Sequence, residues 1–528
     1  MEANVTELWR IVESLQVELD LLRANSTPSI ADSATDQLDS LRAEFDSMET
    51  DMNVLWLMVG SILVVLMQAG FAMLEAGSVS ETHVKSILVK NLLDLAVAAV
   101  MWWSIGWGIA FGEETEDGGF TQFAGPGSFF LRGGGFIDES GNYGTTEGYA
   151  WALWLFQWSF SGTAVTIVSG AVGIRIAMPA YVMTAQVIVG FIYPVVVRWG
   201  WNSHGWASAW SSTRDDLLFG CGVIDFAGSG VVHTTGGMAS LVMMILIGPR
   251  LGRFSGGIST KPTERSVIIQ TLGAFMIWVG WYGFNGCSTL YITGSSHVAA
   301  KAMVCTTICA TSAGLGVTSA SLVLFQHVEP QDVVNGILSG LVAISASCAV
   351  VEVEGAFFIG LVSAVIYLGC SRFVDIVRID DMVDAAPVHL ANGVWGMIAA
   401  GLFASQEGYS ASYYADRSEQ CCGWLYGCGT AQILANFSFV LSILCWVGLM
   451  TFMAGFSLKY VGLLRISEVS ERFGADAQHG YRRVELPDIV RKVLSQVEGL
   501  VAKAADERDP PSFASNSGGT SERKSPET

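Results

Sequence analysis

At 528 residues, 51% of them hydrophobic and only 14% charged, and with a mean hydropathy of +0.46, the chain is unlike a soluble domain, whose charged fraction is roughly 25%. A formal charge of -20 argues against a nucleic-acid partner. Windows of about 20 apolar residues recur between 54 and 456, each long enough to cross roughly 30 Å of hydrocarbon, so composition predicts an all-α polytopic membrane protein of about eleven transmembrane helices.

The N-terminal stretch holds Glu2, Glu7 and Glu13 with no basic patch or early apolar run, so no cleaved signal peptide is expected and the first span acts as its own membrane signal. Val5, Leu8, Val12, Leu15, Leu19 and Leu22 alternate at three and four residues, the spacing of a coiled-coil seam. After a breaker around Pro28 the spacing resumes at Leu38, Leu41, Phe45, Met48, Met52 and Leu55 and runs into the first span. Residues 1–53 are therefore expected to form coiled-coil-like helices that either fold back on each other or pack between subunits. Asn4 and Asn25 stand in glycosylation acceptor triplets, usable if this end is extracellular.

Spans one to four are expected near 54–76, up to 112, 149–172 and 179–197, five and six around the segments opened by His233 and holding Trp278. Spans seven to nine follow near 299–324, 332–350 and 354–371, ten opens at His389 and eleven ends near Gly455. Lys85 and Lys90, Arg175, Arg250 with Arg253, Lys261 and Arg265, and Arg372 with Arg378 are assigned to loops that alternate with acidic ones. The positive-inside rule makes these loops cytoplasmic, the N-terminus extracellular and the 457–528 tail cytoplasmic. From about 503 the tail is rich in Ser, Pro, Gly and charge and reads as disordered.

Cys287, Cys305, Cys309, Cys348, Cys370 and Cys445 lie in apolar segments, where a thiol behaves as a small hydrophobe. Cys421, Cys422 and Cys428 share a polar loop. If that loop is outside, a disulfide among them or to Cys221 is expected, with the pairing open.

One pattern is written twice. Asp225 stands eight residues before His233, Asp381 eight before His389, and a glycine follows each histidine by four, at Gly237 and Gly393; Asp384 lies between the second pair. Each His opens a strongly apolar segment. A lone membrane histidine is more often an interhelical hydrogen-bonder; paired histidines in matching repeats point to a transport path between the halves. No Cys or carboxylate stands beside them at metal-ligand spacing, and no nucleophile elbow or phosphate loop occurs, so neither a metal, a cofactor nor an enzyme activity is expected. Phe156 and Phe160 share a helical face and Phe284 opens Phe-Asn-Gly-Cys-Ser288. Singly these are ordinary core aromatics; with Trp201 they suit a vestibule that holds a cation by its ring quadrupoles, Ser288 accepting a hydrogen bond.

These stretches resemble the ammonium transporter family (Amt/Rhesus). The Trp-rich loop 199–210 and Asp-Phe-Ala-Gly-Ser-Gly-Val-Val-His233 are similar to its eukaryotic, plant-type branch. The resemblance covers about 54–480 and implies a cell-membrane homotrimer of eleven-span protomers, with inverted five-helix halves near 54–248 and 268–404, each protomer with its own pore for ammonium or ammonia across the lipid bilayer. It further implies that Trp201, Phe160 and Ser288 form the outer ammonium site supported by Asp225, that Phe160 and Phe284 are the gate, and that His233 and His389 are the twin histidines. Gly474 and Asp476 resemble the regulatory tail motif. The chain departs from the family pattern at Ile174-Arg175 and Arg198, and Ala477-Gln478 replaces the tail's usual Ser or Thr, so phosphorylation there is not expected. The alternatives are an ammonium receptor using the same vestibule and a neutral ammonia channel.

Overall fold

The computed structural model describes residues 14, 17, 28–112, 122–133, 135–137, 148–211, 217–254 and 266–478, the backbone alone at 28–34 and 477–478. Among them secondary structure is helical apart from three isolated bridges. Eleven long helices follow in order: α1 Pro28–Gly77, α2 Val84–Phe111, α3 Gly148–Val172, α4 Met178–Trp201, α5 Ser229–Ile247, α6 Val267–Thr289, α7 Ser296–Phe325, α8 Pro330–Ile344, α9 Val353–Ile376, α10 Ala386–Phe403 and α11 Ala431–Tyr460. Nine are long and apolar enough to cross a membrane; α3, rich in Trp and Ser, and the short α8 complete the set. A helix satisfies every backbone polar group within itself, which is what a hydrocarbon surround demands.

The two halves repeat each other's contacts. In the first, α2 packs on α3 and α4; in the second, α7 packs on α8 and α9; α1 and α6, which open the halves, lie against one another. The glycines four residues past each histidine explain the central crossing. A Cβ on Gly237 would stand 2.7 Å from Leu390 Cα, and one on Gly393 would stand 2.7 Å from the Ser229 carbonyl. Each glycine therefore lets the other half's histidine turn approach at backbone distance.

Several expectations are revised and one is met. As the spacing predicts, the helix after the breaker runs into the membrane segment: α1 opens on Pro28, whose fixed φ suits a first helical position, and continues unbroken to Gly77. Of its seam, Leu38 is buried, whereas Leu41, Met48, Met52 and Leu55 are about half exposed; the earlier seam, Val5 to Leu22, the acceptor sites Asn4 and Asn25, and the distal tail lie outside the described residues. The eighth helix stops at Ile344 instead of 350, because residues 345–350 turn and Val351 bridges to Ala404.

Lys90 is not a loop residue. It is buried on α2, its Nζ donating to the carbonyls of Gly173 and Ile176, so it bears on packing more than on orientation. Arg175 is buried too and donates to Asp380 Oδ2 at 2.5 Å, while Arg250 grips the same carboxylate at 2.7 and 2.6 Å. The departure at Ile174-Arg175 thus leaves a working ion-pair centre. Arg198 donates to the Gly112 carbonyl at the end of α2. The cysteines pair as Cys221–Cys421 and Cys422–Cys428, so both kinds of linkage left open by the sequence occur.

Candidate functional site: a histidine pair beneath stacked phenylalanines

Asp225 shapes the first histidine segment. Its carboxylate accepts from the backbone N–H groups of Gly228 at 3.1 Å, Gly230 at 3.1 Å and Val231 at 2.8 Å, satisfying donors that a helix start leaves orphaned. Gly228 takes φ +98, where a side chain would be strained, and a Cβ there would stand 3.1 Å from Trp201. Trp201 in turn donates Nε1–H to the Asp225 carbonyl at 2.7 Å, so one aspartate fixes both the helix start and the indole. Asp381 repeats the device, accepting from Ala385 N at 2.9 Å and Ala386 N at 2.8 Å.

Past each cap the helix opens with a π-helical turn, Ser229–Thr234 and Ala386–Ala391. Such wide turns are frequent at functional sites, and each holds one histidine. His233 and His389 are both buried, with Nδ1 atoms 3.2 Å apart and rings 5.3 Å apart and nearly parallel.

That contact has a chemical consequence. A hydrogen bond between two Nδ1 atoms needs one donor and one acceptor. With both rings neutral, the imidazole whose Nδ1 carries hydrogen has a bare Nε2, and its partner presents Nε2–H. The pair thus offers one acceptor and one donor at its outer nitrogens. A proton arriving at the bare Nε2 can push the shared one across and release another beyond. His233 Nε2 has no hydrogen-bond partner among the described residues.

Aromatic rings cover the pair. His233 stacks on Trp281 at 5.0 Å and lies 5.4 Å from Phe284. Phe284 stacks on Phe160 at 4.1 Å, and Phe160 meets Trp201 edge-on at 5.7 Å and Phe156 at 4.8 Å. The sequence-predicted Phe156, Phe160, Trp201, Phe284, His233 and His389 therefore form one continuous stack. Ser288, one turn past Phe284, spends its hydroxyl hydrogen on the Phe284 carbonyl at 2.6 Å, which leaves its oxygen as an acceptor.

Other predicted residues stand apart from that stack. Asp384 accepts from Tyr367 OH at 2.9 Å and Asn335 Nδ2 at 3.1 Å. Asp476 accepts from the backbone of Ser86 at 2.7 Å and Lys85 at 3.2 Å, capping the start of α2. Gly474, at φ +105, lies against Thr82, where a Cβ would clash. Trp281 and Phe71, whose ring lies 6.2 Å from His389, were missed as site residues. Trp281 had a legible signal, standing three residues before Phe284 on the same helix; Phe71 had none.

The fold and this site define a multi-span membrane protein with a buried histidine pair beneath stacked aromatic rings. Residues 55–483 match the family model described as Ammonium Transporter Family, and the chain belongs to that family. Among curated relatives it is 34% identical to "Ammonium transporter 1 member 3" of Solanum lycopersicum, over 82% of this chain and 93% of that one. It is 34% identical to "Ammonium transporter 1 member 1" of Oryza sativa subsp. japonica, over 94% and 98%. Among solved structures it resembles one described as "Sensor Amt Protein", with TM-score 0.71 and 27% identity over 82% of this chain and 99% of that one. Candida albicans Mep2, at 24% identity and TM-score 0.68 over 80% and 87%, shares the fold.

Proposed function

We propose that the protein transports ammonium across the cell membrane, recruiting the ion beside Trp201, Phe160 and Ser288 and conducting ammonia past the Phe160–Phe284 gate and the twin histidines. The hydrogen-bonded pair His233–His389 under stacked phenylalanines carries this reading. Ammonium is a cation at neutral pH, as an amine with a pKa near that of lysine, roughly 10.4, must be. A bare ion in an apolar passage pays a Born cost on the order of tens of kcal/mol in the idealised limit. Aromatic faces and a hydroxyl oxygen attract the cation; only the neutral molecule passes the rings, with the imidazoles as its hydrogen-bond partners. The proton follows along the Nδ1–Nδ1 contact. The chain is read as carrying no enzyme activity.

The test is an ammonium pulse on proteoliposomes of the purified full-length protein, read as current and as internal pH. Current is expected. A pH change without current would make the protein a neutral channel, and neither signal would favour a receptor.

The working unit is a homotrimer with the N-terminus outside and the tail inside. The half-exposed seam of Leu41, Met48 and Met52 on α1 supports packing between subunits. Each such side chain removed from water contributes about 1.5–3 kcal/mol. Deleting residues 1–50 is expected to lower the melting temperature of the trimer while leaving transport in place; an unchanged melting temperature would rule the clamp out.

A further inference from the structure

Beyond the histidine pair lies a cavity of about 20 Å³, lined by Phe71, Glu75, Thr166, Gly170 and His389 among others. One water-sized molecule needs roughly 10–15 Å³, so the cavity has room for a single water or ammonia. Its position follows from the helices. On α3, Thr166 and Gly170 lie six and ten residues past the gate ring of Phe160, about 9 and 15 Å along the axis. On α1, Gly60 abuts Phe156 and Glu75 comes fifteen residues later. The cavity is thus on the side of the histidines away from the gate.

Glu75 is a carboxylic side chain 1% exposed within a membrane-spanning helix, a placement that marks a functional group by default. Its Oε2 accepts from Asn91 Nδ2 at 3.0 Å and Ser169 Oγ at 2.9 Å. Its Oε1 has no hydrogen-bond partner among the described residues. Glu75 lines the cavity, and a Cβ on Gly170, also in the lining, would stand 3.6 Å from that oxygen. Most buried polar atoms find a partner.

A polar network extends from Glu75 into the first half. Thr166 Oγ1 bridges Asn91 Oδ1 and Asp94 Oδ2, each at 3.2 Å, and Tyr181 donates to Asp94 Oδ1. The Lys90 ammonium acts electrostatically on both Glu75 and Asp94.

We propose that Glu75 is the inner proton-transfer residue of the pore and that the cavity beside it is where ammonia is reprotonated. This rests on the transport reading above. The proton that crosses from His233 to His389 passes to Glu75 Oε1, leaving a neutral imidazole and a carboxylic acid. Ammonia entering the cavity takes that proton: the O–H bond breaks, the nitrogen lone pair forms the new N–H bond, and ammonium leaves as the carboxylate is regenerated.

Glu75→Gln keeps the shape and the acceptor for Asn91 and Ser169 but carries no transferable proton. In proteoliposomes the ammonium-evoked current is expected to fall on the order of a hundredfold, the scale of a positioned proton-transfer group, while the ammonia-driven pH change persists and Glu75→Asp retains part of the current. Wild-type current in Glu75→Gln would overturn the proposal. Should that variant fail to fold, the infrared difference spectrum of the wild type on adding ammonium decides: a carboxylic C=O band that shifts with isotope-labelled glutamate is expected, and none overturns it. A wild type without current would bring down the electrogenic reading itself, and this proposal with it, by a different signature.

Discussion

Replacing either His389 or His233 with Ala is expected to abolish the ammonium-evoked current of proteoliposomes, by on the order of a hundredfold or more. The two Nδ1 atoms stand 3.2 Å apart, so the path depends on both rings; one imidazole alone has no partner to receive the shared proton. The loss is specific. Neutral ammonia needs no proton relay, and an alanine widens the passage, so the ammonia-driven pH change is expected to survive in the same vesicles. His389→Phe is expected to remove both signals, because a ring without nitrogen fills the passage and offers no hydrogen bond. His389→Glu is expected to alter ion selectivity, since a carboxylate at that depth attracts cations. Persistent current in both alanine variants would exclude the histidines as the proton path.

Asp380→Ala is expected to cost about 3–5 kcal/mol, the effect of removing one partner from a buried ion pair. The carboxylate is 2% exposed and pairs with three guanidinium groups, Arg175 at 2.5 Å, Arg250 at 2.6 Å and Arg253 at 3.4 Å. Its loss takes this partner from all three cations, at the turn that joins α3 to α4 and the turn that follows α5. Burial by itself would raise the Asp380 carboxyl, but Arg250 and then Arg175 hold it well below the usual carboxylate range. The group is depressed in the folded state, so its contribution is fully present above roughly pH 3.9, the ordinary value for aspartate. It is lost only as pH falls further. As far as Asp380 is concerned, melting of the detergent-solubilised wild type is therefore expected not to change with pH near neutrality and to drop in strong acid. Asp380→Ala is expected to melt lower at pH 7 and to lack that component of the acid transition. An equal melting temperature at pH 7 would contradict the network.

The eleven helices were legible because hydrophobic runs of that length have few other uses, and α7, α9 and α11 appear close to where hydropathy places them. The repeated Asp-x7-His-x3-Gly pattern was legible as repetition, and each member has a counterpart in space: Asp225 and Asp381 both cap, and Gly237 and Gly393 both open the crossing. Asp384, by contrast, stands in the same motif at only three residues from Asp381 and works elsewhere, against Tyr367. Linear proximity does not say which way a side chain points after a turn at φ +58.

The residues missed were those whose role is made by a neighbour from another part of the chain. Nothing in the local sequence marks Phe71 and Glu75, and only the fold of α1 against α3 and α10 sets them around His389. Lys90, too, looked like a loop cation until the helix was seen to begin at Val84, its first turn capped by Asp476 from the far end of the chain. Composition and periodicity by themselves determined that this is an all-helical, multi-span membrane protein in which one motif is written twice, because those properties depend on local apolar length and spacing. The tertiary structure alone decided which rings stack, which cysteines pair and which buried carboxylate faces a cavity. Those depend on contacts between residues far apart in the chain, such as Cys221 with Cys421, separated by 200 positions, and Phe71 with His389, whose energies no local pattern encodes.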